Sequence, residues 1–408
     1  VRHNLHELSD EKLEDLAKNV SSDNRRGDSL ELTIRRATGP EYQDFSLQDT
    51  FNPDNTITGK LCRISDHRYG ALYIHEVNGK RAPQVIYCTP KLQYPFDKQG
   101  KFTFPDSISH IYSYEKLDGT NICAFRYTDY TGKRFTSFKT RLTPVLQNNS
   151  FNQFRDLWEE AMERNEWIRE VLDVMVEYNL SFELYGSRNP ITVKYEEDLA
   201  VKLLFLVECS TGRVIPPHSH ALSGNAPKWV KLDELNKTTY QKLQKEATAV
   251  NSGDLLTEGW VLYVGRVGQG WLQLKCKPEE IEKIHWAAGG IPNSSLWATA
   301  INGFESEGDL SMDGFRRLLA EEYTSQQIGK AEVKLKKTLS QAREHILLTA
   351  QANEAWKKAR EAGFDLKADK AATLRFVSQF FDRKMMSKVG GLLLLQAVLL
   401  KTNKRDFK

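Results

Sequence analysis

The sequence predicts an α+β fold, with antiparallel sheets flanked by helices and an all-helical domain at the C-terminal end. Three observations carry that expectation. Short β-rich segments bounded by turn residues recur between about residues 30 and 277, an amphipathic helix interrupts them from Ser150, and strand alternation stops after Pro278. A boundary near residue 285 follows. Residues 1–285 form an N-terminal extension plus the larger α+β domain, and residues 286–408 form the helical one.

Taken in order, Leu5, Leu8, Leu13 and Leu16 recur at helical spacing among charges, and the polar segment Ser21–Asp28 reads as a loop. Leu30–Arg36, Gly70–Val77 and Gln84–Cys88 read as strands, and Asn78-Gly79 is the strongest hairpin signal in the chain. His110–Glu115, Ile122–Thr128 and Arg134–Lys139 continue the sheet. Ser150 is the expected N-cap of a helix that carries Phe151, Phe154, Leu157, Trp158 and Met162 on one face and runs in two pieces to Glu177. Strands return at Ser181–Tyr185, Val201–Val207, Gly259–Gly265 and Trp271–Lys277, with a polar helix near Leu232–Ala247. Beyond Pro278, Ile328, Leu335, Leu339, Ala342 and Ile346 line one face of long charged helices.

Composition narrows the function. The 57 Lys+Arg against 54 Asp+Glu leave a formal charge of +3, so bulk electrostatics cannot hold nucleic acid and any contact must be local. No apolar run approaches the roughly 20 residues of a membrane span, and Val389–Leu400, flanked by Lys388 and Lys401, reads as a buried helix. The N-terminal residues lack the apolar core of a secretion signal, so an intracellular, cytoplasmic protein is expected. Cys62, Cys88, Cys123, Cys209 and Cys276 are odd in number and widely spaced, which fits reduced core residues rather than a disulfide framework or a zinc site. His218-Ser219-His220 has no further Cys or His nearby and reads as loop chemistry.

The sharpest local feature is Tyr114-Glu115-Lys116-Leu117-Asp118-Gly119-Thr120-Asn121, a lysine at a strand end followed by a turn glycine. Ser181-Phe182-Glu183-Leu184-Tyr185-Gly186, Thr257-Glu258-Gly259-Trp260-Val261 and Leu274-Lys275-Cys276-Lys277 each place a charge at a strand or its edge. Singly, each has a plainer reading: a solvated lysine, a surface carboxylate, a turn cap before Gly259, the solvent face of an edge strand. All four plain readings together would need four coincidences in sequence order.

Together these segments resemble, in order, motifs I, III, IV and V of the covalent nucleotidyltransferases, the superfamily of ATP-dependent DNA and RNA ligases and mRNA capping enzymes. The resemblance implies the nucleotidyltransferase, ATP-grasp-like, ligase fold and a lysyl-AMP intermediate on Lys116. A lysine amine attacks an α-phosphate only when deprotonated, and departing pyrophosphate needs cations to stabilise it. The implied roles are Lys116 as nucleophile, Asp118 orienting the site and acting in later steps, and Lys275 and Lys277 on phosphate, with Lys277 the α-phosphate partner. Glu183 and Glu258 would hold Mg²⁺ or Mn²⁺, and Glu115 would touch the nucleotide.

The match extends further. Ser137-Phe138-Lys139-Thr140-Arg141 is similar to motif Ia of the phage RNA ligase 1 family, with Arg141 the nucleotide contact. The run from Phe182 through Tyr195, with Leu203–Val207 and Ser210-Thr211-Gly212, is similar to that family's long motif III region. Upstream, Lys91 in Thr89-Pro90-Lys91 matches a triphosphate contact, and its arginine partner is Arg68 or Arg63, since Tyr69 interrupts the family's Arg-Gly pair.

Thr120-Asn121 and Phe182–Gly186 stand closer to the RNA ligase 2 branch. Asn121 occupies the place where DNA ligases usually carry arginine, and residues 286–408 show no barrel-like alternation. The expectation is an ATP-dependent RNA ligase acting on RNA with 5′-phosphate and 3′-hydroxyl ends, in RNA repair and by analogy tRNA repair. A viral gene is one source the resemblance allows, and no obligate protein partner is evident. The alternatives are a DNA ligase, a capping-type guanylyltransferase and a catalytically silent RNA-binding relative. Lys330, Lys334, Lys336, Lys337 and Arg343 are the tail's candidate phosphate contacts.

Overall fold

The computed structural model describes residues 33–64, 66–97, 101–148, 153–189, 193, 195–219, 223–250, 257–278, 291, 293–307, 309–320, 323, 325–364, 369–383 and 385–390. The expected helix over residues 1–20, the loop Ser21–Asp28, the Ser150 cap, His220 and nearly all of Val389–Leu400 lie outside the described residues. The chain divides into two compact units, Val1–Gln147 with Phe154–Trp286, and Asn148–Gln153 with Ala287–Lys408.

The first unit is α+β, with three antiparallel sheets. β1 (Tyr42–Gln48), β2 (Thr56–Cys62), β3 (Leu72–Val77) and β4 (Lys80–Ile86) form a meander in sequence order. The β3–β4 hairpin turns at Asn78 (φ 56°) and Gly79 (φ 68°), the positive-φ pair that a two-residue type I′ turn requires. The second sheet runs β10 (Val214–Ile215), β9 (Ala200–Glu208), β8 (Tyr178–Tyr185), β6 (Thr120–Thr128), β7 (Arg134–Lys139). The third runs β11 (Trp229–Leu232), β5 (Ile108–Glu115), β12 (Trp260–Arg266), β13 (Gly270–Cys276).

Two helices, α1 (Phe154–Arg164) and α2 (Glu166–Val174), bury Leu157, Trp158, Ile168 and Val171 against β6, β8 and β9 through Ile122, Phe182 and Leu203. On the third sheet, α3 (Lys237–Val250) packs Tyr240 and Leu243 on Ile111, Leu262 and Leu274. β5 and β6 belong to different sheets and are joined only by residues 116–119, so the predicted nucleophile turn sits where two sheets part.

Two expectations need correction, and two strands carry no expectation at all. Thr33–Arg36 is helical rather than a strand: Ala37 N–H donates to Thr33 O, and Ile34 and Ala37, three apart, are the buried pair. The strands Tyr42–Gln48 and Thr56–Cys62 had no clear signal, because β1 is a half-exposed edge rich in polar residues and β2 contains Gly59. That glycine is required, since a Cβ would lie 2.4 Å from Tyr73 O. Leu232 ends a strand, and the polar helix starts at Lys237 instead.

In the second unit α4 (Asn293–Glu307), α5 (Met312–Ala320), α6 (Ser325–Lys330), α7 (Glu332–Glu361) and α8 (Lys370–Val377) are helices, and none of its described residues is in a strand. Ile328, Leu335, Leu339, Ala342 and Ile346 are buried with Leu296, Phe304 and Phe315. Lys330, Lys334, Lys336, Lys337 and Arg343 are all exposed, and Arg343 also donates to Asp309 at 2.9 Å.

All five cysteines are free; Cys62, Cys88, Cys123 and Cys276 are buried and Cys209 is half-buried. Among the described residues no helix is long and apolar enough to cross a membrane.

Lys139 has no exposed surface, and its ammonium donates to the carbonyls of Gly70 (2.9 Å), Thr140 (2.8 Å) and Arg141 (3.1 Å). It ties β7 and the following turn to the loop before β3. Lys139→Met keeps the stem but leaves one buried and two part-buried carbonyls without their shared donor, and should cost about 2 kcal/mol in urea denaturation.

Candidate functional site

The site grows from the end of β5. The N–H of Glu115 donates to Lys228 O and that of Lys116 to Gly259 O, both at 2.9 Å, so the last residues of the strand are gripped on both sides. Gly259 (φ +120°) makes this approach possible, since a Cβ there would fall 2.2 Å from Cys276 O. The residue before it, Glu258, is thereby inserted between the ends of β5 and β13. One of its oxygens pairs with the Lys116 ammonium, and the other lies 2.9 Å from Lys277 Nζ.

The second sheet supplies the next group. Gly119 presses so closely on the end of β8 that a Cβ would lie 2.3 Å from Leu184 O. The Glu183 carboxylate accepts the Gly119 N–H at 3.0 Å. Burial pushes the Glu183 carboxyl up to about 7, helped by the neighbouring Glu258 charge and opposed by Lys116, Arg141 and the Gly119 N–H. Burial acts the same way on Glu258, but Lys116 and Lys277 outweigh it and hold that carboxyl below its ordinary value. Two carboxylates of one cluster are thus driven in opposite directions. Five of the predicted groups, Lys116, Glu183, Glu258, Lys277 and Arg141, share this field.

The remaining predicted residues are placed differently. Asp118 is buried; its carboxylate accepts the Val193 N–H at 2.8 Å, and its own N–H donates to the Tyr195 hydroxyl at 2.7 Å. Lys275 is buried with its ammonium 4.3 Å from the centre of the Tyr94 ring, and Lys91 stands 5.7 Å from that of Tyr69. Arg68 is outside the Glu258 ion-pair group: its guanidinium forks onto Asp66, and Arg63 donates to Gln43 at 2.6 Å. The buried Nε of Arg141 has no hydrogen-bond partner among the described residues. The Glu115 side chain is half-buried. Asn121 is used inside the fold, accepting from Thr89 (2.6 Å) and donating to Ser181 (2.8 Å).

No protein-family model and no curated protein matches this chain. Among solved structures, an archaeal ATP-dependent RNA ligase (form 1) is similar at TM-score 0.40 and 16% identity, covering 86% of each chain. Its form 2 is similar at TM-score 0.40 and 15% identity, covering 90% of this chain and 95% of that one. A Naegleria gruberi RNA ligase variant with AMP and Mn is similar at TM-score 0.31 and 13% identity, over 43% of this chain and 51% of that one.

Two side chains outside the sequence motifs brace the site. Tyr240 donates to Lys275 O at 3.1 Å, and Gln244, one helical turn on, donates to Lys277 O at 3.3 Å. Helix α3 thus holds the backbone of both lysines from the outer edge of β13, where Gln93 also bridges to Leu274. Their positions, four apart, give the one available signal, and it is the ordinary spacing of any buried helix face. Tyr195 was likewise only part of a longer resemblance. Among the described residues no three His, Cys, Asp or Glu side chains are grouped so as to hold a metal ion alone.

The Glu183 value fixes a pH dependence. Its folded-state value lies above the ordinary 4.5, so folding takes up a proton between those values and the cost of ionising Glu183 grows from about pH 4.5 to about pH 7. Glu183→Gln, which cannot ionise, should gain about 3 kcal/mol on the parent at pH 8 relative to pH 4, read from urea denaturation at the two pH values.

Proposed function

We propose that the chain is an ATP-dependent RNA ligase that joins RNA 5′-phosphate and 3′-hydroxyl ends through lysyl-AMP and RNA-adenylate intermediates. The observation that carries this reading is the convergence of Lys116, Glu183, Glu258 and Lys277 from four separate segments, with one carboxylate shared between two lysines. An ion-pair group built only for stability would not need a lysine at the mouth of a turn between two sheets. The motif order quoted above supplies the chemistry.

In the first step Lys116 Nζ attacks the α-phosphorus of ATP, the bond to the bridging oxygen breaks and pyrophosphate leaves. The amine must first lose a proton. Glu258, held below the ordinary carboxyl range, is a poor acceptor, whereas Glu183 titrates near neutrality. Lys277 already lies against the carboxylate that Lys116 must release, so an arriving phosphate can take the place of Glu258 between the two ammoniums. The unpartnered Arg141 Nε fits a further anionic oxygen. AMP then passes to the RNA 5′-phosphate, and a 3′-hydroxyl displaces it.

The carboxylates Glu183 and Glu258 suit a hard divalent cation, with the nucleotide phosphates and water completing its ligands. When bound, Mg²⁺ or Mn²⁺ would neutralise charge on the phosphates during pyrophosphate departure. An RNA rather than DNA substrate is favoured by the helical second unit, in which no described residue is in a strand, and by the internal use of Asn121. Repair of broken RNA, tRNA included, is the setting we infer.

Incubation with α-labelled ATP and Mg²⁺ should leave label on the protein, and Lys116→Ala should abolish it. Label taken from GTP alone would indicate a capping-type enzyme, and no label at all a silent relative. Ligation of 5′-phosphorylated single-stranded RNA in preference to nicked DNA completes the test. Tyr240→Phe should slow lysyl-AMP formation several-fold at saturating ATP while costing only about 1 kcal/mol in stability. An unchanged rate would show that α3 does not position the lysines.

A further inference from the structure

The edge of the third sheet carries a feature that the lysyl-AMP chemistry does not use. In β11 Trp229 pairs with Tyr114 and Lys231 with Tyr112, which puts Trp229, Lys231, Tyr112 and Tyr114 on one face. Trp229 is backed by rings: His218 at 5.2 Å, Tyr112 at 5.6 Å in an edge-on contact and Tyr114 at 6.1 Å between centroids. His218 is fixed in turn, its Nδ1 against the Tyr114 hydroxyl at 2.5 Å and its ring 3.8 Å from that of Tyr112. Even with this backing, 40% of Trp229 remains exposed.

A large ring held rigid and open on an edge strand offers a face on which a partner can stack. The neighbours decide what that is. Lys228 and Lys231 are exposed on either side of Trp229-Val230, whereas His110 and the acidic pair Asp233 and Glu234 lie at the far end of the strand. The near end is in line with the nucleophile: Lys228 O accepts from Glu115, the residue before Lys116. An aromatic face with cationic flanks suits a base and its phosphates, because stacking accepts any base and lysines neutralise the backbone. A protein partner would be favoured by a broader apolar face, whereas here the exposed apolar stretch is only Trp229-Val230, set between Lys228 and Lys231.

We propose that Trp229 is a stacking shelf for a base of the single-stranded RNA substrate, with Lys231, on the same face, against a neighbouring phosphate, beside the end of β5 where Lys116 carries AMP. The pre-packed ring loses little freedom on binding, which favours affinity. This assignment deepens the RNA ligase reading and rests on it for the nature of the substrate.

The test is fluorescence anisotropy with a 5′-phosphorylated, dye-labelled single-stranded RNA of about ten nucleotides, alongside the same RNA made abasic at each position in turn. For the parent chain, one abasic position should weaken binding about tenfold. Trp229→Ala should weaken the intact RNA by a similar factor and erase the difference between intact and abasic RNA, while Trp229→Phe restores both. Lys231→Ala should lower the slope of log Kd against log salt by about 0.7.

If Trp229→Ala binds intact RNA as tightly as the parent, or still distinguishes abasic RNA, the shelf is overturned, as it is if the parent binds no RNA. Thermal melting of each variant separates lost binding from lost folding, and Trp229→Phe decides the case should the alanine variant not fold: a tenfold loss with phenylalanine also overturns the shelf. Labelling of the parent by ATP is scored separately, so failure of the ligase reading is distinguishable from failure of the shelf.

Discussion

One carboxylate, that of Glu258, organises the first unit's chemistry. It touches two ammoniums that arrive from the ends of β5 and β13, and it stays ionised in a buried place only because both are there. Removing either lysine would leave the buried carboxylate with one cation instead of two and so make its ionised form harder to hold away from water. The remaining geometry serves that contact: Gly259 lets the segment slip between the strand ends, and α3 fastens the backbone of Lys275 and Lys277.

The same arrangement matches the polyanion that the proposed function requires. Two lysines bridged by one carboxylate, a buried guanidinium nitrogen without a partner among the described residues and a second carboxylate near neutrality form a field in which proton affinities are separated. Such separation lets neighbouring acids do different work at one pH. Lys139 contributes without touching the site, since its bonds to Gly70, Thr140 and Arg141 carbonyls set the turn from which Arg141 projects.

Much of the fold was legible because its signals are local. Asn78-Gly79 demanded a hairpin, and α1 showed its buried face through Leu157 and Trp158. The misread elements failed for equally physical reasons. Leu30–Arg36 has residues that suit a strand, yet Ile34 and Ala37 bury together only on a helical turn, and β1 is half-exposed, so its side-chain pattern is weak. Among the site residues, Lys116, Glu183, Glu258 and Lys277 could be picked out because four short segments agreed in order. Arg68 could not be judged that way, since its fork onto Asp66 depends on a turn that brings them side by side.

The amino-acid sequence alone determined the fold class, the order of the charged segments and the chemistry those residue types can perform, because propensity, periodicity and motif spacing are written within a few residues of one another. Tertiary structure decided which charges meet. Glu258 lies 142 residues from its first lysine partner and 19 from its second, and only the parting of two sheets at residues 116–119 and the close approach at Gly259 bring the three together. The small net charge of the whole chain carried no trace of this, since a field of this kind depends on distances and burial rather than on totals.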